Sequence, residues 1–183
     1  YRDMIAGIRS SSKPRVLYGI EADYYPGCEK YLGAWIAAED FDLVLGSVHY
    51  IKNWGFDNPA ERAAWDKANV TQAWKDYFSL VSRLADTGYY DVVGHLDLTK
   101  KFGFRPPDDK IADIVQPTLD RIAAAGMAIE LNMSGLRRPA NEIYPSVLIL
   151  RLARTRGIPI CFGSDAHLPE HVGYAFDTAI EHA

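Results

Sequence analysis

The sequence contains only two cysteines, Cys28 and Cys161, among its 183 residues. Two cysteines are too few for the disulfide framework of a small secreted protein, and no stretch has the pattern of a secretory signal. No apolar run approaches the roughly 20 residues that cross a bilayer. These absences argue against membrane insertion and predict a protein of the reducing cytoplasm.

Two signatures of nucleotide and nucleic-acid binding are also missing. The sequence has no G-x-G-x-x-G or Walker A motif, the Gly-rich turns that hold phosphates in doubly wound sheets. Its formal net charge of -4 argues against nucleic acid as the main partner. No linker-like stretch, internal repeat or change of composition divides the chain, so residues 1–183 are predicted to form one domain.

Helical and extended patterns alternate along the chain. Apolar residues at helical spacing predict amphipathic helices over residues 70–85 and 109–125. Pro117 falls inside the second pattern, which predicts either a kink or a helix in two pieces. A third helix is predicted to begin at Pro145 and to stop at Gly157. Residues 158–162 then have the composition of a strand that is covered on both faces.

Alternating strands and helices with short connections predict a parallel sheet with helices outside it. In both open sheets and barrels of this kind, ligands bind at the carboxyl ends of the strands. Several consecutive strands of this sequence end in polar residues. This favours a β/α barrel, or a large part of one, over a doubly wound sheet.

The polar residues at these strand ends have the chemistry of metal ligands, acids, bases and phosphate-binding groups. They are Glu21, Asp23, His49, His95, Asp97, Glu130, Asn132, Ser134, Arg137, Arg138, Asp165 and His167. Taken alone, Asp165 could cap a helix and His167 could be an ordinary surface residue. The recurrence of Glu, His and Asp at several strand ends predicts one converging metal or catalytic site instead.

Five blocks of the sequence carry a resemblance to a known family. They are GIEADYYPG, FDLVLGSVHYIKNWGFDNP, YYDVVGHLDLTKKFGFRP, IELNMSGLRRP and PICFGSDAH. Together they resemble the histidinol-phosphate phosphatases of the polymerase and histidinol phosphatase (PHP) family. The resemblance implies a distorted (β/α)7 barrel that binds up to three divalent metal ions, with Zn, Fe or Mn as the candidates.

The same resemblance implies a set of metal ligands. These would be Glu21, His49, His95, Asp165 and His167. Glu21 would bridge two metals, Asp165 would bind the first and His167 the third. Glu21, Asp165 and His167 would therefore also be the catalytic residues.

Substrate-binding residues follow from the resemblance as well. Arg137 would clamp the phosphate of a small phosphate ester, with Arg138 as its neighbour, because a guanidinium can donate two parallel hydrogen bonds. The residues themselves suggest two more roles. Trp54 and Phe56, in the loop after His49, could cover the substrate, and local packing is an equal alternative. Asp97 or Glu130 could orient a ligand histidine or bind a substrate ammonium group.

The sequence departs from the family at its start. Family members begin with an H-x-H strand whose histidines serve the first and third metals, whereas the first histidine here is His49. Only the second site, Glu21 with His49 and His95, has its protein ligands intact. We therefore expect a longer parent protein, of which this chain is an N-terminally incomplete PHP domain.

The resemblance implies hydrolysis of L-histidinol phosphate to L-histidinol and phosphate, a step of histidine biosynthesis. Clustered metals suit this reaction because a bound metal can lower the pKa of water to about 7. Two alternatives stay open. The chain could belong to a phosphoesterase that acts on nucleotides or oligonucleotides, or it could be an inactive fragment that binds metal without turnover.

Overall fold

Five parallel strands form the centre of the computed structural model, which describes residues 1–9, 13 and 15–182. They are β1 (Gly19–Asp23), β2 (Leu43–Ser47), β3 (Val92–Val93), β4 (Ala128–Asn132) and β5 (Ile160–Gly163). The sheet order is β1-β2-β3-β4-β5, and each strand pairs in parallel with the next. Because the order never reverses, the sheet resembles a section of barrel wall, and a doubly wound sheet is excluded. All five carboxyl ends lie at one edge.

Six α-helices accompany the sheet. They are α1 (Arg2–Arg9), α2 (Leu32–Ala38), α3 (Val70–Asp86), α4 (Asp108–Ala124), α5 (Val147–Arg154) and α6 (Phe176–His182). Short 3-10 segments also lie in the loops, at Cys28–Lys30, Pro59–Asp66, Leu98–Lys100, Met133–Arg137 and Pro169–His171. The three predicted helices are confirmed as α3, α4 and α5, to within a few residues. No helix in the described ranges is long and apolar enough to cross a membrane.

Helix α4 is continuous, so the alternative of a helix in two pieces is wrong. Pro117 cannot donate the backbone hydrogen bond of its turn. The residues around it are nevertheless fixed by packing: Val115 and Leu119 are fully buried. The Thr118 hydroxyl lies 2.9 Å from the Ser82 hydroxyl of α3 and donates to the Phe78 carbonyl at 3.0 Å. Packing against α3 therefore holds the helix together across the proline.

The predicted strand over residues 158–162 is only partly correct. Strand β5 begins at Ile160, and it is not covered on both faces, since Phe162 is 42% exposed. Within the described ranges β5 pairs with β4 alone and is an edge strand of the sheet. An apolar composition cannot distinguish an edge strand from a central one, because both supply side chains to the core on at least one face.

Lys100 is a buried cation beneath the carboxyl edge of the sheet. Its side chain is 2% exposed, and its Nζ donates to Asp97 Oδ2 at 2.9 Å and to the Ile143 carbonyl at 2.7 Å. It also forms an ion pair with Glu142 at 3.1 Å. The three partners of the Lys100 ammonium are therefore all groups of the protein, and no donor remains for a bound anion.

We expect Lys100→Met to lower the free energy of unfolding by about 3–5 kcal/mol, because it leaves the Asp97 carboxylate buried without its cation. Urea denaturation measures the change. The matched control is Lys75→Met, since Lys75 is exposed on α3. Equal stabilities of the two variants would contradict a structural role for Lys100.

Candidate metal centre

Three neighbouring strands bring the donors of a metal site together. Glu21 lies on β1, His49 follows β2, and His95 follows β3. One ligand atom from each side chain lies within 4.8 Å of the other two. The two imidazole rings are 5.0 Å apart at an interplanar angle of 61°. The predicted second metal site is thus assembled by strands that are adjacent in the sheet.

Glu21 is the acceptor at the centre of this cluster. Its Oε1 lies 3.0 Å from His95 Nε2 and 3.9 Å from His49 Nε2, and it accepts a 2.6 Å hydrogen bond from the Ser47 hydroxyl. Burial alone would raise the pKa of Glu21. The hydrogen bond and charge of His95, with help from Ser47 and His49, instead lower this pKa to about 2. Glu21 is therefore an anion at neutral pH, as a metal ligand must be.

A carboxylate orients the His49 ring. Asp23 Oδ1 lies 2.5 Å from His49 Nδ1, which leaves Nε2 on the side of Glu21. Metal-binding histidines usually donate their second ring nitrogen to a carboxylate or carbonyl in this way. Asp23 is a strand-end residue that the sequence singled out without a role, and the structure places it behind the ligand set.

His95 is held through its backbone. Its N–H donates to Glu130 Oε2 at 2.8 Å, and the same oxygen accepts from Asn132 Nδ2 at 2.9 Å. The φ of His95 is 21°, in a region that side chains rarely adopt. Its Nδ1 is buried and has no protein partner within the described ranges. Of the two carboxylates considered from sequence, Glu130 contacts this ligand.

The carboxylate of Asp97 is directed towards Lys100 and Ser146. It is fully buried, and its Oδ2 accepts from Lys100 Nζ and from the Ser146 backbone N–H. Burial, opposed by the nearby Lys100 ammonium, raises the pKa of Asp97 to about 6. Its hydrogen bonds therefore join the loop after β3 to the start of α5.

Asp165 and His167 lie on the wall of the same cavity, outside the three-donor cluster. The cavity has a volume of about 190 Å³, and both residues line it together with Glu21, His49 and His95. Asp165 Oδ2 accepts a 3.1 Å hydrogen bond from the Ser134 hydroxyl. His167 is 75% exposed, with its Nδ1 3.2 Å from the Asp165 carbonyl. The two side chains stay predicted ligands of further metals.

The predicted substrate-binding residues occupy different places. Arg138 lines the cavity. Arg137 donates from Nη2 to the carbonyls of Ser164 and Asp165 at 2.8 and 3.1 Å, while its Nη1 is buried without a protein partner in the described ranges. Trp54 packs against Trp65, with ring centroids 4.7 Å apart, and borders a separate surface cavity. Neither Arg137 nor Trp54 is among the side chains that line the metal cavity.

Besides the apolar Leu98, three further residues of this cavity are not identified as site residues from the sequence. They are Asp57, Lys101 and Tyr144. Lys101 Nζ donates to Asp57 Oδ2 at 3.0 Å, and both side chains are largely buried. In the sequence Lys101 follows Lys100, and nothing in that pair distinguishes the lysine that lines the cavity from the one that is buried. Tyr144 lies between the predicted elements, where no pattern marks it.

The donor set fits the metals that the resemblance implied. One carboxylate and two imidazoles suit Zn, Fe or Mn, whereas Mg and Ca prefer all-oxygen ligands. Three protein ligands also leave coordination positions open, which is typical of catalytic centres. Glu21, His49 and His95 would hold the ion.

We expect Asp23→Asn to weaken metal binding about 10- to 100-fold, because the His49 ring would lose the carboxylate that orients it. Competition with a chromophoric chelator measures the affinity, and elemental analysis gives the metal content. Asp113→Asn, at an exposed position on α4, is the control. Unchanged affinity in Asp23→Asn would show that the contact with His49 does not support a ligand.

Two sequence families match this chain. The family described as PHP domain matches residues 5–134, and the family described as PHP-associated matches residues 148–181. A protein of Deinococcus radiodurans, provisionally named histidinol-phosphatase, is 43% identical over 166 residues, which are 91% of this chain. The histidinol-phosphatase of Bacillus subtilis is 34% identical over 121 residues, 62% of this chain. The chain covers 63% and 45% of the lengths of these two relatives.

Solved structures share the fold. A Listeria monocytogenes protein provisionally assigned as a histidinol phosphatase aligns with a TM-score of 0.84 at 24% identity, over 97% of this chain and 74% of its own. The histidinol phosphate phosphatase of Lactococcus lactis, solved with zinc, L-histidinol and phosphate, aligns with a TM-score of 0.79 at 18% identity, over 100% of this chain and 73% of its own. These likenesses confirm the predicted barrel-type α/β fold. With the PHP domain match over residues 5–134, they lead to one conclusion: this chain belongs to the PHP domain family.

Proposed function

We propose that the protein is a metal-dependent phosphatase that hydrolyses L-histidinol phosphate to L-histidinol and phosphate. One observation carries the proposal: the cavity that holds the Glu21, His49 and His95 cluster is also lined by two cations, Lys101 and Arg138. A phosphate ester needs both features, since its anionic oxygens must be neutralised while water attacks phosphorus. The relatives named histidinol-phosphatase, and the zinc, L-histidinol and phosphate bound by the Lactococcus lactis protein, support this choice of substrate.

The residues of this chain divide the work of the reaction. Divalent metals bound at the cluster would supply Lewis acidity and make water a better nucleophile at neutral pH. Glu21 stays ionised and supplies negative charge to the site. Arg138 contacts the non-bridging oxygens of the ester. Asp165, steadied by the Ser134 hydroxyl, and His167 at the rim would hold further metals, as the resemblance implies, and are the proposed acid and base groups where no further metal occupies them.

Hydrolysis of the ester forms one P–O bond, breaks another and transfers one proton, and the side chains of the cavity must assist these changes. Water adds to phosphorus while the ester P–O bond breaks, and a proton from the water reaches the departing alkoxide to give the alcohol. Asp165 and His167 are adjacent on the cavity wall, with His167 Nδ1 3.3 Å from Asp165 Oδ1. This pair is suited to accept and return one proton. The cavity volume of about 190 Å³ favours a small ester over an oligonucleotide.

The proposal includes a place in the cell and in metabolism. Both cysteines are free thiols, which suits the reducing cytoplasm. Hydrolysis of histidinol phosphate there would be a step of histidine biosynthesis.

The direct test is release of inorganic phosphate from L-histidinol phosphate by protein loaded with Zn, Mn or Fe. We expect turnover of this ester and at least tenfold lower kcat/KM for nucleoside monophosphates and short oligonucleotides. Higher activity on the nucleotides would favour another phosphoesterase of the family. No turnover of any ester, with the metals bound, would favour a metal-binding fragment.

We expect Arg138→Gln to lower kcat/KM for histidinol phosphate about 10- to 100-fold, because a charged hydrogen bond to the phosphate is lost. Arg151→Gln, at an exposed position on α5, is the control in the same phosphate-release assay. If Arg137→Gln shows the loss and Arg138→Gln does not, the phosphate clamp is Arg137, as the family resemblance implied.

A further inference from the structure

Tyr144 is fixed at the carboxyl end of β4 although it lies outside every strand. Its backbone N–H donates to the Asn132 carbonyl at 2.9 Å, and its carbonyl accepts from the Asn132 N–H at 2.6 Å. The ring then passes over Gly135, where a Cβ would lie 3.0 Å from Tyr144 Cε2 and 2.0 Å from the Glu142 carbonyl oxygen. The close approach needs a glycine at position 135, and the tyrosine side chain lines the metal cavity.

The hydroxyl of Tyr144 is a buried polar group without a partner among the described residues. The residue is 0% exposed, and no described residue makes a hydrogen bond to its hydroxyl. An unpaired buried hydroxyl is costly, so such groups usually have a role with a ligand or water. The charges that act on this hydroxyl are those of Asp97, Arg138, Asp165 and Asp57. Three of these four side chains, Asp57, Arg138 and Asp165, line the metal cavity together with Tyr144 itself.

The hydroxyl is a hydrogen-bond donor under ordinary conditions. A tyrosine keeps its proton at neutral pH, and burial raises the pKa of Tyr144 above its ordinary value. Arg138 and Lys101 line the cavity with it and attract anions. A donor in these surroundings is complementary to an anionic oxygen, with which it forms a hydrogen bond stronger than a neutral pair.

We propose that Tyr144 is a substrate-binding residue, and that its hydroxyl donates a hydrogen bond to an oxygen of the phosphate group held in the metal cavity. The inference rests on the proposed phosphatase function, since it assigns one contact within that site. It adds a neutral donor to the cations Arg138 and Lys101.

The test is calorimetric titration of inorganic phosphate into the metal-loaded protein and its Tyr144→Phe variant. This substitution removes only the hydroxyl, and we expect phosphate to bind about 10- to 100-fold more weakly. The matched control is Tyr90→Phe. Tyr90 is 5% exposed, and its buried hydroxyl likewise has no partner among the described residues. Unlike Tyr144, it does not line the metal cavity. We expect its phosphate affinity to stay within twofold of the parent.

Thermal melting and metal content separate a binding role from a structural one. Because the Tyr144 hydroxyl makes no hydrogen bond to any residue that the structure describes, Tyr144→Phe should keep its metals and melt at the parent's temperature or above it. Phosphate affinity within twofold of the parent would overturn the inference. So would a loss of affinity that comes with a lower melting temperature and lost metal, or a parent protein that binds no phosphate.

The titration does not depend on turnover, so the two proposals can fail separately. A protein that binds phosphate through Tyr144 but does not hydrolyse histidinol phosphate would refute the proposed reaction and leave the contact established. If the ester is hydrolysed, the KM of Tyr144→Phe should rise by the same factor as its phosphate dissociation constant. Hydrolysis with an unchanged KM and unchanged phosphate binding would refute the contact alone.

Discussion

The carboxylate of Glu130 ties three neighbouring strand ends together. Glu130 lies on β4, and its Oε2 accepts the backbone N–H of His95 after β3 and the side-chain amide of Asn132. On β5, a Cβ at Gly163 would lie 1.7 Å from Glu130 Oε1, so a glycine is required there. Burial raises the pKa of Glu130, while its hydrogen bonds and the charge of His95 act in the opposite direction. The position of His95, a candidate metal ligand, therefore depends on a buried acid and on a glycine of the next strand.

The sequence predicts much of this site because the carboxyl ends of parallel strands meet at one edge. Glu21, His49 and His95 each follow an apolar run, and the in-register pairing of β1, β2 and β3 makes them neighbours. Their convergence needs only the strand assignment and the parallel topology. The fold could be predicted for the same reason, since alternating strands and helices allow few arrangements. The edge position of β5 could not, because composition does not report which strand has a neighbour.

Side-chain direction limits the prediction elsewhere. Arg137 and Arg138 are adjacent in sequence, yet Arg137 ends a 3-10 segment while Arg138 is extended, with φ of -115° and ψ of 166°. The change of backbone sends one guanidinium to the carbonyls of residues 164 and 165 and the other to the cavity. The same holds for Lys100 and Lys101, of which the first neutralises Asp97 in the core and the second lines the cavity. Tyr144 reaches the site only through its bridge to Asn132, a long-range contact that no local pattern encodes.

Some buried polar groups around the cavity form no hydrogen bond with the described part of the protein, and this lowers the stability of the fold. His95 Nδ1 and the Tyr144 hydroxyl belong to two side chains that line the cavity, and both are buried without a protein partner within the described ranges. Each such group costs about 1–3 kcal/mol if it stays unpaired, and apolar replacements of similar shape would remove that cost. Folded proteins pair nearly all their buried polar groups, and the exceptions are concentrated where function requires them. His95 and Tyr144 line the cavity together with Glu21, so the hydrogen-bonding groups that the described residues leave unpaired there are available to the phosphate that we propose this site binds.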